Sequence, residues 1–203
     1  MKTRIWIILQ IVAFAVSSFG QGRVTFNNLV PDQAPVTIRT NQGGFNPSDG
    51  PPGAFVGSMY TATLVFVNGT ITDQSIFDAS NPIWVADTVF YGTTGNGADG
   101  AGFFEGGDPQ VFGQTSLIVT FQILAWFNGG GQYTSYAQAS AAGHNVGLSV
   151  LVPAQVTFPP GPAATLTGLQ PFTVGIPEPS SASLILLGLL SLAIFRRRHK
   201  ANQ

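Results

Sequence analysis

The sequence contains no cysteine, and its central region contains no lysine. Without cysteine the chain has no disulfide, no thiol nucleophile and no thiolate metal site. Between residues 21 and 175, Arg23 and Arg39 are the only basic side chains against eight acidic ones, which leaves a formal charge of −6. Because this surface repels phosphate, the composition argues against a nucleic-acid partner and against binding of anionic lipid.

Histidine is also scarce, since His144 is the only histidine outside the C-terminal tail. We expect it either to lie at the surface or to cap the C-terminal end of a short helix, because cations are favoured at helix C-termini. The sequence has no Gly-x-Ser-x-Gly motif, and one histidine without cysteine is too little for a zinc site. We therefore expect no catalytic residue, no cofactor and no enzymatic activity.

The first 20 residues have the composition of a secretory signal peptide. Lys2 and Arg4 precede an apolar run at residues 5–19, and Ser18 and Gly20 supply small residues at a cleavage site. The run is short for a membrane-spanning helix, and Gln10 interrupts it. We expect cleavage near Gly20, which leaves residues 21–175 as one extracytoplasmic domain.

The central region has the period-two alternation of β-strands. Strands are predicted at residues 23–29, 35–40, 60–67, 117–127, 147–152, 155–158 and 172–175. An Asn68-Gly69 turn follows the third strand, and residues 71–77 are predicted to return as its hairpin partner. The pattern predicts an all-β sandwich of about seven to nine strands, and it leaves a jelly-roll or an immunoglobulin-like topology open.

One short helix and two loops interrupt this pattern. Residues 135–142 contain good helix formers, with Thr134 or Ser135 as N-cap and Gly143 after the last turn. Residues 41–53 and 91–107 are rich in glycine and lack an apolar period, so both are predicted to lack regular structure.

The C-terminal residues 176–203 join three features: Pro177-Glu178-Pro179, an uncharged segment at residues 180–195, and Arg196-Arg197-Arg198 within a basic tail. As a helix, the uncharged segment is about 24 Å long, slightly less than the ~30 Å hydrocarbon core. The arginines are typical of a stop-transfer signal that stays in the cytoplasm. Because each proline keeps its preceding residue out of the helical region, the motif is expected to stay extended beside the membrane, where a membrane protease can bind it.

These features, in this order, closely resemble the PEP-CTERM sorting signal of Gram-negative bacteria. Pro177-Glu178-Pro179 is followed by Ser180, the apolar segment contains Leu187-Gly188-Leu189, and the end is rich in arginine. The resemblance implies export by the secretion machinery and signal peptidase, then recognition and removal of the tail by an exosortase. It further implies a transient stay in the inner membrane and delivery to the cell surface or extracellular matrix.

The central region is also similar to an uncharacterised group of PEP-CTERM surface proteins. The similarity includes residues 102–113 (GFFEGGDPQVFG), 121–130 (FQILAWFNGG) and 135–139 (SYAQA). Members of this group often carry a basic and an acidic residue on either side of Ala-Trp, where this chain has Leu124 and Phe127. A site built on those two charges is in doubt here, and the group implies no activity for this chain.

Two sets of side chains are candidates for ligand binding. Asp99, Glu105 and Asp108 are weak candidates for Ca²⁺, because their spacing fits no EF-hand or repeat-type calcium loop and a solvated acidic loop is favoured. Asp99 with Glu105 is a weaker candidate for a glycosidase pair, since nothing in the sequence fixes their separation. The aromatic candidates for stacking on sugars, most of them more simply explained as core residues, are Trp84, Tyr91, Phe103, Phe104, Trp126, Phe127 and Tyr133.

The sequence therefore predicts a non-enzymatic exported protein with a structural or adhesive role in exopolysaccharide or biofilm. The alternative is a carbohydrate-binding or carbohydrate-acting protein of the same matrix. Loss of polysaccharide turnover on changing Asp99 or Glu105 would favour the enzyme. Loss of binding without turnover, on changing Trp126 or Phe104, would favour the binding protein.

Overall fold

The structure, a computed structural model, describes residues 21–29, 33–40 and 46–176. Several predictions from the sequence fall outside these residues: the signal peptide at 1–20, the motif Pro177-Glu178-Pro179, the apolar segment at 180–195 and the arginines at 196–198. Within the described residues, no helix is both long enough and apolar enough to cross a membrane.

The described residues form ten strands, compared with the seven to nine predicted, and two short α-helices, α1 (Gln74–Ala79) and α2 (Tyr136–Ala141). The strands are β1 (Gly22–Thr25), β2 (Val36–Ile38), β3 (Tyr60–Asn68), β4 (Ile83–Val89), β5 (Gln110–Val111), β6 (Ile118–Phe127), β7 (Val146–Leu148), β8 (Val152–Gln155), β9 (Ala164–Thr165) and β10 (Phe172–Val174). The chain is therefore mainly β, as its alternating pattern predicts.

The largest sheet is antiparallel, has five strands and runs in the order β4-β3-β6-β7, with β8 also paired to β6. The predicted face of β6 is confirmed, because Val119, Phe121, Ile123, Ala125 and Phe127 are all buried. Only the first residue of the predicted run differs: Leu117 lies before the strand and is 57 % exposed.

Two small sheets contribute the other part of the core. β1 pairs with β5 and β9, and β2 pairs in parallel with β10. Their buried side chains Val24, Val36, Ile38 and Val174 belong to the same hydrophobic cluster as the inner face of the large sheet. This shared core fixes the small sheets against the large one.

The predicted hairpin partner at residues 71–77 is wrong, because α1 occupies most of this segment. The Asp73 carboxylate accepts hydrogen bonds from the backbone N–H groups of Ser75 and Ile76, which starts a helix where alternation alone predicted a strand. The true partner of β3 is β4, which follows the helix and which the sequence pattern did not predict.

The predicted helix at residues 135–142 is confirmed as α2. Ser135 caps it by accepting from the Gln138 N–H, and Gly143 follows with φ of 75°. The helix packs on Trp126, on the outer face of β6, so this face is largely covered as well.

The predicted strand at 147–152 is interrupted. β7 and β8 pair one after the other along β6, and Ser149 lies between them. Its backbone N–H donates to the Ile123 carbonyl and its hydroxyl accepts from the Ile123 N–H, so the side chain replaces one rung of the ladder.

Gly147 marks a close approach between β7 and β10. Val146 and Gly175 exchange backbone hydrogen bonds of 3.0 and 2.9 Å. A Cβ placed on Gly147 would lie 2.4 Å from the Thr173 carbonyl oxygen and 3.0 Å from the Val174 Cα. A side chain at this position therefore forces the two strands apart.

We expect Gly147→Ala to lower the free energy of unfolding by about 2–4 kcal/mol, because the methyl group meets backbone that cannot rotate away. Urea unfolding of the purified chain measures this. The neighbouring change Leu148→Ala, at a partly exposed position, serves as the control and is expected to cost less than about 1 kcal/mol. Equal losses for the two variants would contradict the close-approach argument.

Candidate functional site

The predicted sorting motif, Pro177-Glu178-Pro179, lies outside the described residues, but the structure shows where the fold ends before it. The backbone of Gly175 donates one hydrogen bond to Val146 and accepts another from it, and Val174 is fully buried. Ile176 alone separates this anchored residue from Pro177 in the sequence. The folded domain therefore reaches almost to the first proline of the motif.

A surface cavity of about 700 Å³ lies at this end of the fold. It is lined by residues of β2, α2, β7 and β10 and of their ends, including Arg39, Tyr136, Thr173 and Ile176. Its volume lies within the range of small-molecule sites. Arg39 and Arg23 are the only cationic side chains of residues 21–175, so this cavity has one of the two.

Asp99 is engaged within its own loop. Its carboxylate accepts from the backbone N–H of Thr93 at 2.7 Å and from that of Ala101 at 3.3 Å. The hydrogen bond from Thr93 is the main reason why the pKa of Asp99 is held below its usual range. Its carboxylate also occupies the space that a side chain on Gly92, at φ of 69°, would need. Asp99 therefore shapes the loop.

Glu105 and Asp108 have other partners. Glu105 accepts from the Tyr91 hydroxyl at 3.1 Å, and Asp108 accepts from the Thr25 hydroxyl at 2.8 Å. In the part of the chain that the structure describes, no three or more histidine or acidic side chains are grouped so that they could hold a metal ion. The three carboxylates that the sequence offered as calcium ligands are thus not brought together.

Three of the seven aromatic candidates for sugar stacking, Phe104, Trp126 and Phe127, are buried. Phe104 packs against Phe26 and Phe90 with ring centroids 4.9 and 5.2 Å away. Trp126 lies under α2, and its indole N–H donates to the Thr63 hydroxyl at 3.1 Å. Phe127 belongs to the inner core, so both faces of this strand end are covered. Phe104, Trp126 and Phe127 therefore cannot stack on a sugar in this structure.

Two other aromatic candidates are exposed near the sheet edge. Trp84 is 61 % exposed, and its indole N–H donates to the Asp87 carboxylate at 3.1 Å. Tyr91, which is 42 % exposed, donates its hydroxyl to Glu105. Partial desolvation and the hydrogen bond to Glu105 raise the pKa of Tyr91. Each aromatic ring is thus paired with a carboxylate at the surface.

The prediction that His144 lies at the surface is wrong. The residue is only 8 % exposed, and its ring nitrogens contact the side chains of Asn46, Asp49 and Tyr133. Nδ1 lies 2.7 Å from Oδ1 of Asp49, and Nε2 lies 2.7 Å from the Tyr133 hydroxyl. Its backbone N–H, bonded to the Ala139 carbonyl, does close the end of α2. The ring is drawn inward because a buried carboxylate is its partner.

Asp49 is the centre of this buried cluster. Its second carboxylate oxygen accepts from the Asn145 backbone N–H at 2.7 Å, and its carbonyl accepts from the Tyr60 hydroxyl at 2.7 Å. Burial raises the pKa of Tyr60, which favours its neutral, donating form. Nothing in the local sequence shows that Asp49 is buried. It lies in a loop, as some aspartates at the surface of the domain also do.

A buried aspartate that orients a histidine is also a feature of hydrolytic triads. In a triad the second ring nitrogen faces a nucleophile and the substrate, whereas here it contacts the Tyr133 phenol. Phe127 stacks on the imidazole with centroids 4.8 Å apart and planes at 22°. The protein's own groups occupy both nitrogens and one ring face, so the cluster acts as a cross-link between residues 46–49 and 133–145.

Comparison of the chain with family models, with curated proteins and with solved structures finds no match. The function is therefore argued from the chain's own residues.

We expect Asp49→Asn to lower the free energy of unfolding by about 2–4 kcal/mol, because an amide N–H₂ would face either the Asn145 N–H or the His144 ring. Chemical denaturation at neutral pH measures this. Asp108→Asn, which removes the same charge at an exposed position, is the matched control with an expected change below about 0.5 kcal/mol. If the two variants unfold alike, the cluster is not the cross-link described here.

Proposed function

We propose that this chain is an exported surface or extracellular-matrix protein that an exosortase sorts and processes through Pro177-Glu178-Pro179. One observation carries the proposal: the tripeptide, a short uncharged apolar segment and an arginine cluster follow one another at residues 177–198. Each part has a separate physical purpose, namely an extended cleavage site, a marginal membrane anchor and a stop-transfer charge.

The proposed route assigns a role to each region. Signal peptidase removes residues 1–20 as the secretion machinery exports the chain. The apolar segment holds the product in the inner membrane of a Gram-negative bacterium, with Arg196, Arg197 and Arg198 on the cytoplasmic side. Cleavage near residues 177–179 then delivers residues 21–176 to the cell surface or matrix.

For the delivered domain we propose a structural or adhesive role in exopolysaccharide or biofilm. We interpret its five-stranded sheet and the two small sheets that share its core as the layers of a β-sandwich. The domain has no cysteine and does not need disulfides outside the cell, because its core and buried polar cluster supply long-range connections. A matrix component requires this kind of self-sufficient stability.

A second candidate function is carbohydrate binding, which one observation favours: Trp84 and Tyr91 remain exposed while most other aromatic candidates are buried. Catalysis on carbohydrate has less support. Asp99 is held by backbone N–H groups of its own loop, and Glu105 is held by Tyr91. The hydrogen bond from the Thr93 backbone N–H lowers the pKa of Asp99, which disfavours this carboxyl as a general acid.

The sorting proposal is tested by the intact mass of the protein from its native host. We expect a product that ends near Pro179 in cells with the exosortase, and a product that keeps the tail to Gln203 in cells without it. Replacing Pro177 and Pro179 by alanine is expected to preserve the tail in both strains, because the extended site is lost.

A matched control replaces Pro51 and Pro52, two exposed prolines within the folded domain, by alanine in the otherwise unchanged chain. Processing of this control is expected to continue. Retention of Arg196, Arg197 and Arg198 in the product of both strains would overturn the sorting proposal.

A further inference from the structure

We propose that the outer face of β4 and its continuation binds a polysaccharide that carries free amino groups, such as a partly deacetylated hexosamine polymer. We call this surface the β4 face and define it by Trp84, Asp87, Val89, Tyr91 and Glu105. The inference rests on the proposed matrix role for its setting and names the ligand class that such a role requires.

Strand register places these side chains on one face. Trp84, Asp87 and Val89 pair with Val65, Thr63 and Thr61, which alternate with the core residues of β3. Beyond the strand, Phe90 and Phe104 are buried and form a β-bridge. Their neighbours Tyr91 and Glu105 therefore face outward. From Trp84 to Tyr91 the row extends over roughly 23 Å at ~3.3 Å per residue, enough for several sugar rings.

The two aromatic rings of the β4 face are held before any ligand arrives. The hydrogen bond from Trp84 to Asp87 limits the rotation of the indole, and the bond from Tyr91 to Glu105 limits that of the phenol. A ligand that stacks on these rings loses little side-chain freedom on binding. Surface side chains without a binding role have no need of two aromatic–carboxylate hydrogen bonds on one face.

The carboxylates decide which sugar fits. An exposed aromatic face attracts a cationic group, and an adjacent carboxylate strengthens a hydrogen bond from an ammonium group. Asp87 and Glu105 each accept their aromatic partner through a single oxygen, which leaves the other oxygen to accept from a ligand. An amino sugar supplies a ring to stack and an ammonium group to donate.

The charge of the whole domain favours the same ligand. Residues 21–175 carry a formal charge of −6 and contain no lysine. Of the two arginines, Arg23 donates to the Gly161 carbonyl, and Arg39 lines the cavity near Ile176. An anionic polysaccharide is repelled by such a surface, whereas a cationic one is drawn to it.

A second copy of the chain is a less suitable occupant of this region. Pairing through the β4 edge is opposed by Pro82 before the strand, by the charged Asp87 within it and by the irregular register beside Leu64. These features are typical of strands that are protected against edge-to-edge association. The binding surface is therefore the face of the strand rather than its edge.

The test uses the full-length chain, purified in a mild detergent, with calorimetric titration of three probes of equal length: oligomers of glucosamine, of N-acetylglucosamine and of galacturonic acid. We expect glucosamine oligomers to bind most tightly and galacturonate oligomers least. Trp84→Ala is expected to weaken glucosamine binding about tenfold, which is the scale of a desolvated cation–π contact. Asp87→Asn is expected to weaken it about threefold to fivefold, since one exposed charge partner is lost.

Asp108→Asn is the charge-matched control, because it removes one exposed carboxylate that bonds to Thr25 and to no residue of the β4 face; its affinity is expected to equal that of the native chain. Equal weakening by Asp87→Asn and Asp108→Asn would show attraction by net charge alone and would overturn the proposal. So would equal binding of the N-acetylated oligomer, or native affinity in Trp84→Ala. Sedimentation that shows a dimer lost in Trp84→Ala, with no glycan bound, would assign the face to self-association instead.

These titrations need no exosortase, so their outcome is separate from that of the sorting proposal. Absence of glycan binding in a chain whose tail is removed normally would overturn only the ligand assignment. A chain that binds glucosamine oligomers but keeps its tail in the native host would overturn only the sorting route.

Discussion

The contact between Asp49 and His144 is the constraint on which the arrangement of this end of the domain depends. The two residues are 95 positions apart, and the 2.7 Å contact between their side chains is buried. Around it, Asp49 binds the backbone after His144 and the hydroxyl of Tyr60 at the start of β3. A glycine-rich loop, the central strand pair and the end of α2 thus converge on one residue, through both its carboxylate and its backbone carbonyl. Since removal of either partner leaves buried polar groups without a match, this loop is fixed by a network rather than by apolar packing.

Much of the fold follows from local pattern, and the errors have identifiable causes. The alternation in β6 and the cap and glycine of α2 are local signals, and both elements are present as predicted. The prediction of a strand at residues 71–77 is wrong because the Asp73 cap starts a helix, α1, in a segment whose residues appear to alternate. The sequence pattern does not predict β4, because its exposed and buried residues do not alternate regularly. The alternation is broken where the register with β3 shifts next to Leu64.

The candidate sites also differ in whether a local sequence pattern or contacts between distant segments define them. The proposed sorting motif is a contiguous pattern, so sequence alone is enough to propose it, and it lies outside the described residues. The buried cluster of Asp49, His144 and Tyr133 depends on contacts between distant segments, which no local pattern reveals. The exposure of each aromatic residue depends on what covers its strand. Trp126 is hidden by α2 and Trp84 is not, although both are tryptophans in strands of one sheet.

Only Ile176 separates Gly175 from Pro177 in the sequence, and this bears on any segment joined to the domain at that end. A protein attached through a long linker samples all orientations, whereas here one residue separates the sheet from the start of the motif. Any cargo fused after Ile176 would therefore inherit a nearly fixed direction relative to the sheet. For the same reason, an affinity tag placed directly after Ile176 would lie close to the surface of the domain. A resin would bind it poorly unless a spacer were added.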